Sequence, residues 1–326
     1  MPPRIRRSLL PLMLLLAVAS LTLGLMVGSV DIPGTEIWLH LLADDGSIND
    51  RIVDQLRLPR VLTAFAVGGL LALAGALMQV LLRNPLGDPY VLGISGGAAT
   101  AVLSAMLLSL PSLWHTPAAA GGALLSTLLV FGLARNADDW HGDRLLLTGV
   151  VVAAGWSALI GFILSISPAG RLPGMLFWLM GDLADAHRPL PPLMLLACGL
   201  GLAMLRARDL NIATQGLLQA AALGIDTRRL RLELYFIAAL LTAAAVTAAG
   251  AVGFIGLITP HLIRRLGGHD HRILLPAAGL LGGSLLVLAD SAARTLFSPM
   301  QLPVGVLTAM IGVPLFLFLL RRQRRP

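Results

Sequence analysis

The chain has 326 residues, 56% of them hydrophobic and only 13% charged, with a mean hydropathy of +0.83. Soluble domains carry about 25% charged residues, so this composition excludes an ordinary soluble fold and indicates a polytopic membrane protein. All 24 basic residues are arginine; without lysine there is no G-x-x-x-x-G-K-S/T phosphate loop, the chain is not itself a P-loop ATPase, and its net charge of +7 is set against membrane topology before nucleic acid.

Arg4, Arg6 and Arg7 precede an apolar run over residues 9–30. A signal peptide has the same charge order, but its apolar core is only about 7–15 residues long, so this run predicts a first membrane helix. Residues 31–56 are polar and acidic, with Asp44, Asp45, Asp50 and Asp54, a turn at Pro33-Gly34 and a short surface helix expected over 37–42. The second span, 61–82, has no charge and is long enough to cross a bilayer, which takes about 20 apolar residues. Gly68, Ala72, Gly75 and Ala76 recur at three- and four-residue spacing and give it one small face for close packing. Arg57 and Arg60 stand at one end. At the other, Arg83-Asn84-Pro85 and Asp88-Pro89 form a turn that no helix passes straight through. Gly93, Gly96 and Gly97 open a third helix, 91–110; a fourth covers 118–134, the loop 135–144 is charged, and a fifth covers 145–167.

Residues 168–192 are broken by Gly and Pro and hold Arg171 and the run Phe177-Trp178-Leu179-Met180-Gly181-Asp182. A sixth helix, 193–205, contains the single cysteine, Cys198. One cysteine excludes an intrachain disulfide and a multi-cysteine metal site, and its apolar surroundings predict a small core residue. Residues 206–231 form the longest loop on their side. Within it 212–224 carry no charge; 13 residues are too few to span and suit an interfacial or docked helix. A seventh helix covers 234–252. The run Gly253-Phe254-Ile255-Gly256-Leu257-Ile258-Thr259-Pro260-His261 then leads to Arg264-Arg265 on a short eighth helix. A ninth covers 273–293 and a tenth 302–320, before an arginine-rich end. Ten helices place both termini on one side, with 18 arginines there and 6 on the other. The positive-inside rule then puts both termini in the cytoplasm.

The ordered string from Arg57 to Ala98 resembles the transmembrane permease subunits of ABC importers for vitamin B12, iron–siderophores and haem. Those proteins carry RLPR, a Gly/Ala-rich helix ending in GxxMQ, and then NPLxDPxxLGxSxGA. The W-x-M-G element at Trp178, the GFIGLxxPHxxR string from Gly253 and the LPVG start of the tenth helix extend the resemblance along most of the chain. It implies an all-α type II ABC importer permease forming a single domain over 1–326, with an inverted repeat relating helices two to five to helices seven to ten. It also implies a homodimer in the inner membrane, two cytoplasmic ABC ATPase subunits that hold ATP and Mg, a periplasmic substrate-binding protein, and no cofactor or nucleic acid bound by this chain. The pathway would run along the dimer axis, lined mainly by helices five and ten, and the W-x-M-G element would lead into a short helix on the outer face.

The resemblance also implies roles for particular residues. Gly216, Leu217, Leu218, Gln219, Leu223 and Gly224, in the loop 206–231, match the coupling helix that sits in a groove of the ATPase, although the family's acidic GEExARxLG pattern is absent here. Arg57, Arg60 and Arg294 match arginines that pair with glutamates of the binding protein. The bland reading of these is snorkelling at helix ends. Asp290, four residues before Arg294, is placed to pair with it along the ninth helix; an intramembrane acid is otherwise an ion-coupling candidate. Arg171, Trp178 and Met180 fall where the family forms its cavity mouth, and Arg171 is equally readable as a surface-loop residue. Met175, Met180 and Met300 read as packing residues rather than haem ligands. His261 reads as structural, with no partner at metal-ligand spacing.

Function therefore reads as a permease that moves an iron chelate, siderophore or haem, by ATP-driven alternating access, with vitamin B12 as the alternative cargo. An ion-coupled secondary transporter is the rival of another class. An intramembrane enzyme lacks paired carboxylates or histidine clusters inside its helices.

Overall fold

The computed structural model describes residues 3–28, 51–134, 142–298 and 300–323. The expected surface helix at 37–42 and most of the charged loop from 135 lie outside these. Among the described residues there are thirteen α-helices and no strand. They are α1 (Pro3–Met26), α2 (Leu58–Leu81), α3 (Ile94–Leu107), α4 (His115–Ala134), α5 (Gly142–Ile166), α6 (Leu172–Leu179), α7 (Leu190–Leu205), α8 (Ala207–Ala213), α9 (Leu217–Ala222), α10 (Thr227–Ala249), α11 (Ile255–Arg265), α12 (His271–Thr295) and α13 (Val304–Gln323).

α2 is the central post. A π-helical turn, Val53–Arg57, runs straight into it, and Pro59 sits in its first turn, where a missing N–H costs nothing. The small face expected from its sequence is where its neighbours come closest. A Cβ added at Gly68 would lie 2.2 Å from Gly282 O of α12, and one at Gly75 would lie 1.9 Å from Gly256 O of α11. Backbones this close gain dispersion contact without any side-chain ordering, the usual basis of helix association in lipid. α2 and α12 run in opposite directions, since Gly24 of α1 meets both Val61 and Val287, while Leu9 at the other end of α1 meets Gly268 just before α12. α1 therefore lies along α2 and α12 with its arginine-bearing start at the end where α2 finishes.

The third helix, expected as a full span over 91–110, is only half-length, and the eighth is short as expected. α3 has 14 residues and α11 has 11, about 21 Å and 16 Å at 1.5 Å per residue. The physical cause is the same at both. After α2 the chain turns at Arg83 and Asn84, and Asp88 Oδ1 accepts the Tyr90 N–H at 2.7 Å to cap a short 3-10 turn, Pro89–Leu92. Gly93 then enters α3 in the left-handed region at φ 71°. After α10 the chain unwinds over 250–254, and Phe254 enters α11 at φ 70°. The Tyr90 hydroxyl accepts the Val252 N–H at 3.0 Å, so the two breaks touch. Trp156 Nε1 donates to Ser126 Oγ, which donates to Gly93 O, fixing the start of α3 between α4 and α5. This pairing of a long helix, a break and a half-helix in each half is what the expected inverted repeat requires.

The expectation of ten membrane-crossing helices is thus not met by length. Six described helices are long and apolar enough to cross, and a seventh if α7 and α8, bent by 59°, count as one span. The expected 13-residue docked helix is also broken. α8 ends at Ala213 and α9 begins at Leu217, because Gly216 takes φ 146°, a value side-chain-bearing residues avoid. The W-x-M-G element does not lead into a short helix; it ends one, with Trp178 and Leu179 inside α6 and Met180 as its C-cap. Cys198 is exposed on α7, because it is the neighbouring Gly199 that abuts Leu241. Met175 is packed, as expected, against Leu103 and Ile163, whereas Met180 and Met300 are exposed.

Candidate functional site

Three features carry chemistry or mechanics, and they lie at different depths of the bundle. The first is the loop between α7 and α10. α9 is a six-residue helix bounded by Gly216 and by Gly224 at φ 81°. Leu218 on it is 89% exposed, and Gln219 and Leu223 are exposed beside it. The side chain of Leu217 lies outside the described residues. Ala220, by contrast, is buried, so the helix rests on one side and presents a leucine on the other. An isolated exposed leucine is ordinary, but this one stands on a short helix whose other side is buried through Ala220. Asn211 of α8 donates to Asp270 Oδ1 at 2.8 Å and accepts from the His271 N–H at 2.9 Å, which ties the loop to the start of α12. Arg206 at the bend grips Glu233 of α10 at 2.7 Å and 2.8 Å, a bidentate pair. The loop that carries α9 is thus tied to two long helices, α10 through Arg206 and the start of α12 through Asn211.

The second feature joins the ends of α1, α2 and α12 at the opposite face. Asp290 is 1% exposed and accepts from two arginines at once. Arg60 Nη2 meets its Oδ1 at 2.8 Å and Arg294 Nε meets its Oδ2 at 3.1 Å. Arg60 also donates to Gln301 at 3.1 Å. The Arg294 pairing along α12 is the one read from the spacing; the second partner, 230 residues away, is what that reading missed. Arg57 is 4% exposed and donates to Leu25 O at 2.8 Å and Met26 O at 3.1 Å, capping the orphan carbonyls of α1. Arg294, 7% exposed, reaches Gly24 O on the same helix end. All three arginines expected to face a binding protein thus use their forks inside the chain, and only Arg60 stands partly at the surface. No sequence signal separates a buried arginine capping a helix from an exposed one at the same helix end.

The third feature is a junction of backbones. A Cβ at Gly305 would lie 2.2 Å from Met180 O, one at Gly250 2.3 Å from Trp178 O, and one at Gly181 2.6 Å from Ala251 O. The W-x-M-G element, the unwound chain after α10 and the start of α13 therefore meet at three glycines, with the Asp182 N–H donating to Ala249 O at 3.0 Å. The glycines were visible as separate motif positions; their meeting was not. Trp178 and Met180 belong to this junction. Arg171, expected near the same mouth, donates from Nη1 to Leu107 O at 2.6 Å and to Met106 O, capping the end of α3. Its charge stays at the surface but is fixed in place.

Asp88 lies in the turn between α2 and α3, wholly enclosed. Burial pushes its carboxyl up to about 6 against the lowering effect of the Tyr90 N–H. The same burial raises Tyr90, with the Asp88 charge adding to it. His261 is 5% exposed, packs edge-on against Phe316 of α13 and has no hydrogen-bond partner for Nε2.

A protein-family profile described as the FecCD transport family matches residues 14–322. The hemin transport system permease protein HmuU of Yersinia pestis is 41% identical over 97% of this chain and 95% of its own length. The cobalamin import system permease protein BtuC of Halobacterium salinarum is 40% identical over 83% of this chain and 73% of its own. Among solved structures, a metal-chelate type ABC transporter in an inward-facing conformation superposes with a TM-score of 0.86 at 30% identity, covering 98% of this chain and all of that one.

Proposed function

The chain belongs to the FecCD transport family, and from that premise we propose that it is the membrane permease of an ABC importer that carries an iron chelate inward, driven by ATP on a separate subunit. The observation that carries this reading is α9: a short glycine-bounded helix with Leu218 almost fully exposed, in a loop whose Arg206 holds α10 and whose Asn211 holds the start of α12. A cytoplasmic ATPase with an apolar groove would cover Leu218 and push on both helices. The chain works as a homodimer with α5 and α13 along the axis; the apolar faces of both, with Phe162, Ile166, Ile311 and Phe318 exposed, support that arrangement. Both termini and α9 lie in the cytoplasm of an inner-membrane protein, as the arginine count favours. A periplasmic binding protein docks at the other face, where Arg60 and Gln301 reach the surface.

An iron chelate such as haem is the favoured cargo because the 41% identical relative is named for hemin and the superposed transporter is of the metal-chelate type. Among the described residues no group of three His, Cys, Asp or Glu is placed to hold a bare ion, which suits a metal already wrapped in an organic ligand. Vitamin B12 is kept as a second cargo on the 40% identity to a cobalamin permease. The test is Leu218→Asp. Placing a charge in a desolvated contact costs about 1–3 kcal/mol or more, so the partner ATPase should co-purify at least several-fold less while the membrane domain elutes unchanged. Equal recovery of the ATPase with equal transport would remove α9 as the coupling element.

A further inference from the structure

One concave feature takes no part in the sites above. A cavity of about 680 Å3 opens on the arginine-rich face, where the end of α2, the turn after it, the end of α8 and α11 converge. Arg83, Arg264, Arg265, His261 and His269 line it together with Thr214, and no described carboxylate does. Two of its arginines are held at fixed positions. Arg264 donates from Nη1 to Gln79 Oε1, and Gln79 donates in turn to Leu257 O at 3.3 Å. Arg265 donates to Leu319 O at 2.5 Å. A guanidinium has five N–H donors, so each fork keeps donors for the cavity. The Arg83 side chain makes no contact of this kind among the described residues.

Two observations separate this cavity from a merely solvated basic face. Its volume falls within the roughly 300–1,000 Å3 of small-molecule sites. Its lining is the second observation: three arginine side chains, with no described carboxylate among the residues around them. Three arginines lining one cavity without a carboxylate suit a phosphate, whose oxygens guanidinium groups bind in bidentate pairs. Basic pockets between membrane helices on a cytoplasmic side also suit phosphorylated lipid heads.

We propose that this cavity binds a phosphate-type anion, either a free phosphate compound or the headgroup of an anionic phospholipid. Thr214 closes the end of α8, so the anion bridges the coupling loop to α2 and α11 and favours the arrangement in which they stand together. Binding at this site needs no cargo.

The experiment uses the purified full chain. In detergent, thermal stability and calorimetric binding are followed against inorganic phosphate and pyrophosphate; in nanodiscs, stability is compared in phosphatidylcholine with and without phosphatidylglycerol. The comparison variant is Arg83→Gln with His269→Gln, two exposed side chains whose replacement leaves the packing intact. Saturable binding or stabilisation in the soluble arm identifies a free phosphate compound, and a response to phosphatidylglycerol alone identifies a lipid head. Either supports the proposal if the double variant weakens it by about tenfold or more. No response in both arms overturns it, as does a response that the double variant leaves unchanged. Stoichiometric displacement of the anion by the partner ATPase also overturns it, because the cavity would then belong to a protein carboxylate.

Discussion

Replacing Asp290 with Asn removes the one carboxylate shared by Arg60 and Arg294. The two guanidinium groups remain where they are, one of them nearly buried, and their donors lose a charged acceptor. Were this a surface pair, the loss would be about 0–1 kcal/mol. At 1% exposure for the aspartate, with contacts of 2.8 Å and 3.1 Å, the relevant case is a buried pair with one side deleted, about 3–5 kcal/mol. Asn keeps one acceptor oxygen and falls at the low end; Asp290→Ala falls at the high end. For a chain of this size each kcal/mol moves the midpoint by about 2 °C, so a fall of about 6–10 °C is expected in a thermal unfolding assay read by size exclusion. Adding Arg294→Gln should recover part of the loss, because the uncompensated cation goes with it, and the coupling can be read from the double-mutant cycle. A midpoint within about 1 °C of wild type would show that Asp290 does not hold a buried charge pair. Transport lost at unchanged stability would assign Asp290 to ion coupling instead.

Two further outcomes follow from the packing and the turn. Gly75→Ala places a methyl group 1.9 Å from Gly256 O, so α2 and α11 must separate, at about 1–3 kcal/mol or more; Gly121→Ala meets nothing within 4 Å and should match or exceed wild type in unfolding temperature. Burial holds the carboxyl of Asp88 at about 6 against an ordinary 3.8, so its raised folded-state pKa favours the neutral form. Stability is then lost as pH rises between these values, reaching about 3 kcal/mol above pH 7, and Asp88→Asn should be the more stable protein at pH 8 by a margin that shrinks below pH 6. A margin that does not vary with pH would show that Asp88 is not desolvated.

Much of the bundle could be read from the chain because lipid imposes length and small residues impose contact. The stripe Gly68, Ala72 and Gly75 announced the close face of α2, and Gly282 and Gly256 are found against it. The turn at Asp88-Pro89 was equally plain. Its consequence was not: an apolar run over 91–110 reads as a full span, and only the cap at Gly93 and the early end at Leu107 make it half of one. The break at Gly216 was hidden for a related reason, since one glycine in an apolar run does not reveal its φ. At the opposite face, composition placed three arginines at helix ends but said nothing of their depth. Burial of Arg57 and Arg294 depends on α1 lying across them, a contact more than thirty residues from Arg57 in the chain and 270 from Arg294.

The central claim is that this chain conducts cargo only when an ATPase acts on the α9 face. The direct measurement is uptake of radiolabelled ferric chelate into sealed proteoliposomes holding the permease and its ATPase, with the loaded binding protein on the side of Arg60 and ATP on the side of α9. Uptake should need ATP on the α9 side, stop when ATP is supplied only on the other side, and be unaffected by collapsing a proton gradient. Uptake by the permease alone on a proton gradient, without ATP, would contradict it.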